Sequence, residues 1–148
     1  TTILALNKQE AQHLLETETS VISELMKRLH AFGAKMIVMT DGKNGSYASD
    51  GKKIWFCPIF PVPIVEVTGA GDSYTLGFAY GYDKTGSISE AMRYGTANSS
   101  SVVQYIGPHK GLLTARQFQQ VLSKFVEIRP TEYLDAAPKK RTRTVKRT

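Results

Sequence analysis

Apolar positions along the chain recur in two rhythms, short unbroken runs and 3.6-residue periods, and the two alternate. Thr2-Ile3-Leu4-Ala5-Leu6 reads as a short buried strand ending at Asn7. Residues 8–15 have helical character, with Ala11, Leu14 and Leu15 on one face. Ser20 fits the N-cap of a second helix carrying Val21, Ile22, Leu25, Met26 and Leu29, and Gly33 stops it. The run 35–40, bounded by turn residues, predicts a strand covered on both faces. After the glycine-rich turn Asp41-Gly42-Lys43-Asn44-Gly45, segments 46–49 and 53–57 flank Asp50-Gly51 and predict a hairpin, with Trp55 packed in it. Pro61 and Pro63 break regular structure. Val65-Glu66-Val67 then reads as a strand running into small residues and a helix over about 72–82. Ser87 or Ser89 caps the next helix, with Ile88, Ala91, Met92 and Val102 as core positions. A last helix is expected over 113–125, capped by Thr114, with Phe118, Val121, Leu122 and Phe125 facing inward. After Pro130 the pattern fades, and no internal repeat is evident.

Strands alternating with helices across short loops predict an α/β domain with a largely parallel sheet. In such sheets ligands sit beyond the carboxyl ends of strands, where loops lead into helices. Thr40-Asp41-Gly42 and Thr68-Gly69-Ala70-Gly71 both stand at such places.

Composition narrows this picture. The 148 residues suit one domain, and 41% apolar content supplies a hydrophobic core. No apolar run approaches the roughly 20 residues of a membrane span. The first residues show no basic region followed by an apolar stretch, so no signal peptide is expected. The chain also lacks an initiating Met, which suggests a start inside a longer reading frame. Its single cysteine, Cys57, has no internal disulfide partner and fits a reducing, cytoplasmic setting as an inert thiol. The net charge of +6 is a property of one end: Lys139, Lys140, Arg141, Arg143, Lys146 and Arg147 have no acid among them. Removing these six from 19 basic residues leaves 13 against 13 acidic ones. A folded body over 1–130 and a basic, disordered tail over 131–148 are therefore expected. The tail reads either as a solvated terminus or as a contact for nucleic acid or an acidic partner.

The segment Val67-Thr68-Gly69-Ala70-Gly71-Asp72-Ser73 carries the chemistry. Glycines let backbone N–H groups converge without side-chain obstruction, and a helix N-terminus adds partial positive charge. Together they make an anion hole suited to phosphate. Asp72 has two readings. It caps the helix, or it takes a proton from an attacking hydroxyl beside that hole. The segment is not a Walker loop, having no Gly-Lys-Ser/Thr, and its spacing excludes a dinucleotide fingerprint.

Thr68-Gly69-Ala70-Gly71-Asp72 resembles the signature of the ribokinase-like (PfkB) carbohydrate kinase family. Asn7-Lys8-Gln9-Glu10 resembles that family's Asn-x-x-Glu motif, and Thr40-Asp41-Gly42-Lys43-Asn44-Gly45 its nucleotide loop. Residues 90–98 resemble the helix that walls the adenine pocket, and Ile106-Gly107 the loop after it. The resemblance implies the C-terminal, catalytic part of a layered α/β/α fold and ATP-dependent transfer of phosphate to a sugar, nucleoside or similar alcohol. Asp72 would be the base, and Gly69, Ala70 and Gly71 would offer N–H groups to the developing charge. Thr40, Gly42 and Gly45 would contact the nucleotide, with Thr96 and Asn98 near its base. Asn7 and Glu10 would orient magnesium and its water. Glu66 stands where most members have Asp, a residue tied to a monovalent cation such as potassium. His109 reads as an exposed turn residue or part of the nucleotide rim.

Family members are about twice as long, and nothing here resembles the N-terminal part that binds the sugar and forms a lid. A fragment, a product needing a partner chain, and a former kinase with another use all stay open. In the first two cases a homodimer or a complementing N-terminal segment is expected. The last would be an inactive interaction protein holding nucleic acid or an acidic partner through its tail.

Overall fold

The computed structural model describes residues 2–107 and 111–135. His109 and the basic residues from 139 onward, with the expectations attached to them, lie outside that set. Among the described residues no helix is long and apolar enough to cross a membrane.

Five strands form one sheet in sequence order: β1 (Ile3–Asn7), β2 (Met36–Thr40), β3 (Ser46–Ser49), β4 (Ile54–Cys57) and β5 (Thr131–Glu132). Among the described residues the α-helices are α1 (Lys8–Leu14), α2 (Ile22–Ala31), α3 (Ala70–Thr85), α4 (Ile88–Val102) and α5 (Ala115–Lys124). The expectation of a largely parallel sheet needs correction. Only β1 and β2 run parallel, through the crossover carrying α1 and α2, while β2–β3, β3–β4 and β4–β5 are antiparallel. The cause is loop length: the turns at 41–45 and 50–53 are too short for a crossover connection.

The layers follow from alternation on β2. Ile37 and Met39 face a core made by Ala11, Leu15, Ile22, Leu25, Met26 and Leu29 of the α1–α2 side. Met36 and Val38 face Tyr74, Phe78, Ala91 and Met92 of the α3–α4 side. Helices thus cover both faces, giving the expected α/β/α layering. A third cluster, Phe60, Tyr94, Ala97, Phe118 and Leu122, joins α5 to α4. β1 was expected to be buried but is only half-buried, because it is the edge strand.

Several element ends differ from the sequence reading. Val21, not Ser20, occupies the α2 N-cap, without a side-chain cap. Residues 65–67 form no strand; Val65 and Glu66 instead donate their N–H groups to the Val103 carbonyl at 2.7 and 3.1 Å. α3 starts two residues earlier than expected and runs on to Thr85. Of the two candidates for the α4 cap, Ser87 accepts from the Glu90 N–H at 3.2 Å. Thr114 caps α5 as expected, in a reciprocal box with Gln117. Beyond Pro130 the chain adds β5 against β4, and Tyr133 packs edge-on against Tyr47 with ring centroids 5.0 Å apart.

Candidate active site

Three adjoining clefts run across the carboxyl ends of β1 and β2 and the start of α3. The first is bordered by Asn7, Glu10, Thr40, Gly71 and Asp72. The second shares Thr40 and Gly71 with it and adds Gly42, Gly45, Ala70 and Thr96. The third shares Gly42 and Ala70 with the second and opens into an apolar cavity of about 360 Å³. The chain thereby brings together Asn7, Glu10, Thr40, Gly42, Gly45, Ala70, Gly71, Asp72 and Thr96 along one trough.

The start of α3 explains the middle of that trough. Gly69 is the N-cap, in the left-handed conformation (φ 81°), and supplies no capping side chain. Ala70 N–H donates to the Val67 carbonyl at 3.1 Å. Among the described residues nothing accepts from the amides of Gly69, Gly71 and Asp72. These are orphan donors at the positive end of a 16-residue helix. Ala70, by contrast, already uses the N–H that the resemblance assigned to the anion hole.

Gly71 is the informative glycine. A Cβ built there meets no protein atom within 4 Å, and its backbone is ordinary helix. Nothing in the fold asks for glycine at this exposed position. The space a side chain would take is the space beside the orphan amides. Gly45 is different: its φ is 97°, and a Cβ would strike the Cys57 carbonyl and the Phe56 ring. That glycine is required by the turn between β2 and β3.

Asp72 lies in the first turn of α3, two residues past Ala70, and caps nothing. Its side chain is exposed and, among the described residues, makes no hydrogen bond or ion pair. The capping reading of Asp72 therefore fails, and what remains is a carboxylate that, among the described residues, is unpaired beside the orphan amides. Asn7 and Glu10 do have a structural occupation. Asn7 Oδ1 accepts from Glu10 N–H and Glu10 Oε2 accepts from Asn7 N–H, each at 2.8 Å, so they cap α1 reciprocally while bordering the Asp72 cleft. Lys8, next to them, pairs with Asp41 of the glycine-rich turn at 3.6 Å.

Two residues named for the base end diverge. Thr96 is buried, borders the second cleft, and donates its hydroxyl to the Met92 carbonyl at 2.8 Å. Asn98 borders none of the three clefts. Its amide donates to the Ser73 carbonyl at 2.7 Å and its oxygen accepts from Leu113 N–H at 3.0 Å. Glu66 Oε2 accepts from Gly107 N–H at 3.1 Å, tying the 64–67 loop to the loop that follows α4. Among the described residues no group of three or more His, Cys, Asp or Glu is placed to hold a metal ion. Cys57 sits under the second cleft, and burial pushes its thiol up from the ordinary value against the lowering effects of Thr96 and Arg93.

Sequence reasoning missed Ser99 and the apolar wall of Ile59, Phe60, Val62 and Ile64. Ser99 has one weak signal, a place on the inward face of α4. The proline-broken segment 58–64 has none, because its role depends on packing against α4.

Comparison with known proteins places the fold in a family. Residues 1–115 match the model of the pfkB family carbohydrate kinases. The fructoselysine 6-kinase of Shigella flexneri is 39% identical over 82 residues, 55% of this chain and 31% of that protein. The cytidine kinase of Thermococcus kodakarensis is 34% identical over 103 residues, 68% of this chain and 36% of that protein. The Arabidopsis thaliana ribokinase, solved with ribose and ATP, superposes with a TM-score of 0.75 at 30% identity, over 82% of this chain and 40% of its own. The chain spans about a third of the length of the curated relatives it matches. With the match covering most of its length, the chain belongs to the pfkB family of carbohydrate kinases.

Proposed function

We propose that this chain forms the nucleotide-binding, base-bearing part of an ATP-dependent kinase that phosphorylates a hydroxyl of a sugar, nucleoside or similar alcohol. The observation that carries the reading is the start of α3. Orphan amides of Gly71 and Asp72 border a space that Gly71 leaves open for no reason internal to the protein, and an unpaired carboxylate stands beside it. A triphosphate fits such a cradle, since phosphoryl transfer is catalysed mainly by positioning and by fixed dipoles aimed at the charge that develops.

The roles follow from position. Asp72 accepts the proton of the acceptor hydroxyl as that oxygen becomes a nucleophile. The amides of Gly69, Gly71 and Asp72 hold negative charge without reorganising. Thr40, Gly42 and Gly45 shape the floor under the phosphates. The apolar cavity beyond Ala70 takes the base, walled on the α4 side near Thr96. Magnesium, when bound with the nucleotide, would neutralise phosphate charge, with Glu10 and Asn7 holding it through water. A monovalent cation at Glu66 fits less well, because one carboxylate oxygen is already taken by Gly107, and no step is derived through such an ion.

The test is Asp72→Asn in a polypeptide that turns over, alone or with a complementing N-terminal segment. Nucleotide affinity should stay within about threefold while the transfer rate falls by about 10²–10⁴. Retained turnover would remove Asp72 as the base.

A further inference from the structure

Beneath the trough lies a buried hydrogen bond that the chemistry proposed for the site does not use. Tyr74 stands on α3 two residues after Asp72, and Ser46 follows Gly45 at the start of β3. Their hydroxyls lie 2.8 Å apart and share a hydrogen bond in which either oxygen can donate. Both side chains are buried. Burial pushes the Tyr74 phenol well up from its ordinary value, so the group is a neutral hydroxyl at neutral pH. Helix α4 leaves room for it. A Cβ on Gly95 would come within 2.8 Å of Tyr74 Cζ, the ring carbon that bears the hydroxyl.

The bond spans two parts of the site. On one side, the first turn of α3 carries Gly71, Asp72 and the orphan amides. On the other, Ser46 pairs with Thr40 across β2 and β3, and Asp41 N–H donates to the Gly45 carbonyl at 2.9 Å. Ser46 thus stands at the foot of the glycine-rich turn. Among the described residues no other hydrogen bond or ion pair joins α3 to that turn or to β3. Packing alone would accept a phenylalanine ring at 74; the hydroxyl adds a fixed direction and distance. A ligand gripped from both sides binds more weakly when the gap between them is free to vary, because binding must then supply that order.

We propose that the Tyr74–Ser46 hydrogen bond is a positioning device: it holds the start of α3 at a set distance from the glycine-rich turn, so that both grip one nucleotide phosphate chain. This rests on the nucleotide-site reading above. The test is calorimetric titration with ADP and excess magnesium, at a temperature where melts show each variant folded. Tyr74→Phe and Ser46→Ala are each expected to weaken ADP binding about threefold or more, the scale of one neutral hydrogen bond. The double variant should stay within about twofold of the weaker-binding single, since both remove the same bond. Ser49→Ala breaks the 2.9 Å bond to His30 at the other end of β3 and should change ADP binding by less than about threefold. Tyr74→Phe binding within threefold of the unsubstituted chain, a double variant as weak as the product of the singles, or Ser49→Ala losing as much as Tyr74→Phe would each overturn the proposal. Should Tyr74→Phe not fold, Ser46→Ala against Ser49→Ala decides the same question. An unsubstituted chain that binds ADP, with variants unchanged, removes this inference alone; one that binds no ADP removes the nucleotide site with it.

Discussion

Gly71 and Gly45 both border the trough, yet they are glycine for opposite reasons, and substitution separates them. At Gly71 a methyl group meets no protein atom. Alanine there also improves helix propensity, so Gly71→Ala should raise stability by about 0.5 kcal/mol. The same methyl intrudes on the proposed phosphate cradle, and nucleotide affinity should drop about tenfold or more. Thermal melts and ADP titration read the two effects separately; a stable variant with full affinity would show that the cradle is not used. Gly45 has no such freedom, since its left-handed backbone and the Cys57 carbonyl both exclude a side chain. Asn98 teaches a related lesson. Its position suggested a contact with the base, but both polar ends are spent inside the protein. Asn98→Leu removes both bonds and leaves the part-buried Leu113 amide without its acceptor, at a cost of about 1–3 kcal/mol, measurable as a lowered denaturation midpoint.

At the scale of elements, what could be read in advance was whatever the chain determines locally. The Asp50-Gly51 turn announced β3 and β4, Thr114 announced α5, and apolar periods announced α2 and α4 within a residue or two. β5 could not be read, because Thr131 and Glu132 are exposed and pair only because β4 offers them an edge. The false strand at 65–67 came from its valines; Val65 and Glu66 instead donate to the carbonyl of Val103, a partner 38 residues from Val65. The early start of α3 was hidden because its cap is a left-handed glycine without a side-chain signal. The site divides along the same line. Asp72, Gly71, Thr40 and Asn7 stand in compact local motifs, while the apolar cavity is assembled largely from 59–67 and α4 by tertiary packing. Asp41 shows how motifs are joined: its pairing with Lys8 braces the glycine-rich turn against the start of α1.

For the whole molecule, the open side of β1 is the telling boundary. Among the described residues β1 pairs only with β2, its apolar side chains are half-buried, and Leu76 on α3 and Leu14 on α1 are 58% and 49% exposed. An unpaired apolar strand edge invites another strand. The isolated chain should therefore self-associate at micromolar concentration, and Ala5→Lys should weaken that association; sedimentation showing a stable monomer of the unsubstituted chain would count against it. The other boundary lies at the far end. Arg93 is buried and donates to the carbonyls of Leu122 at 2.9 Å and Ile128 at 3.3 Å, so the end of α5 is anchored to α4. Phe118 and Leu122 cover Phe60 and Tyr94, and Phe60 stacks on Phe125 at 4.7 Å.

That anchoring sets where the chain can be cut. The family match stops at 115, at the first residue of α5. A polypeptide ended there would strip the cover from Phe60 and Tyr94, strand the Arg93 charge without its carbonyls, and leave the Asn98 contact with Leu113 on a frayed end. Loss of soluble yield is the expected result, whereas a polypeptide ended at 135 keeps every one of these contacts. Similarity to relatives marks which residues descend together; the Arg93 anchor marks which residues must stay together for any of them to fold.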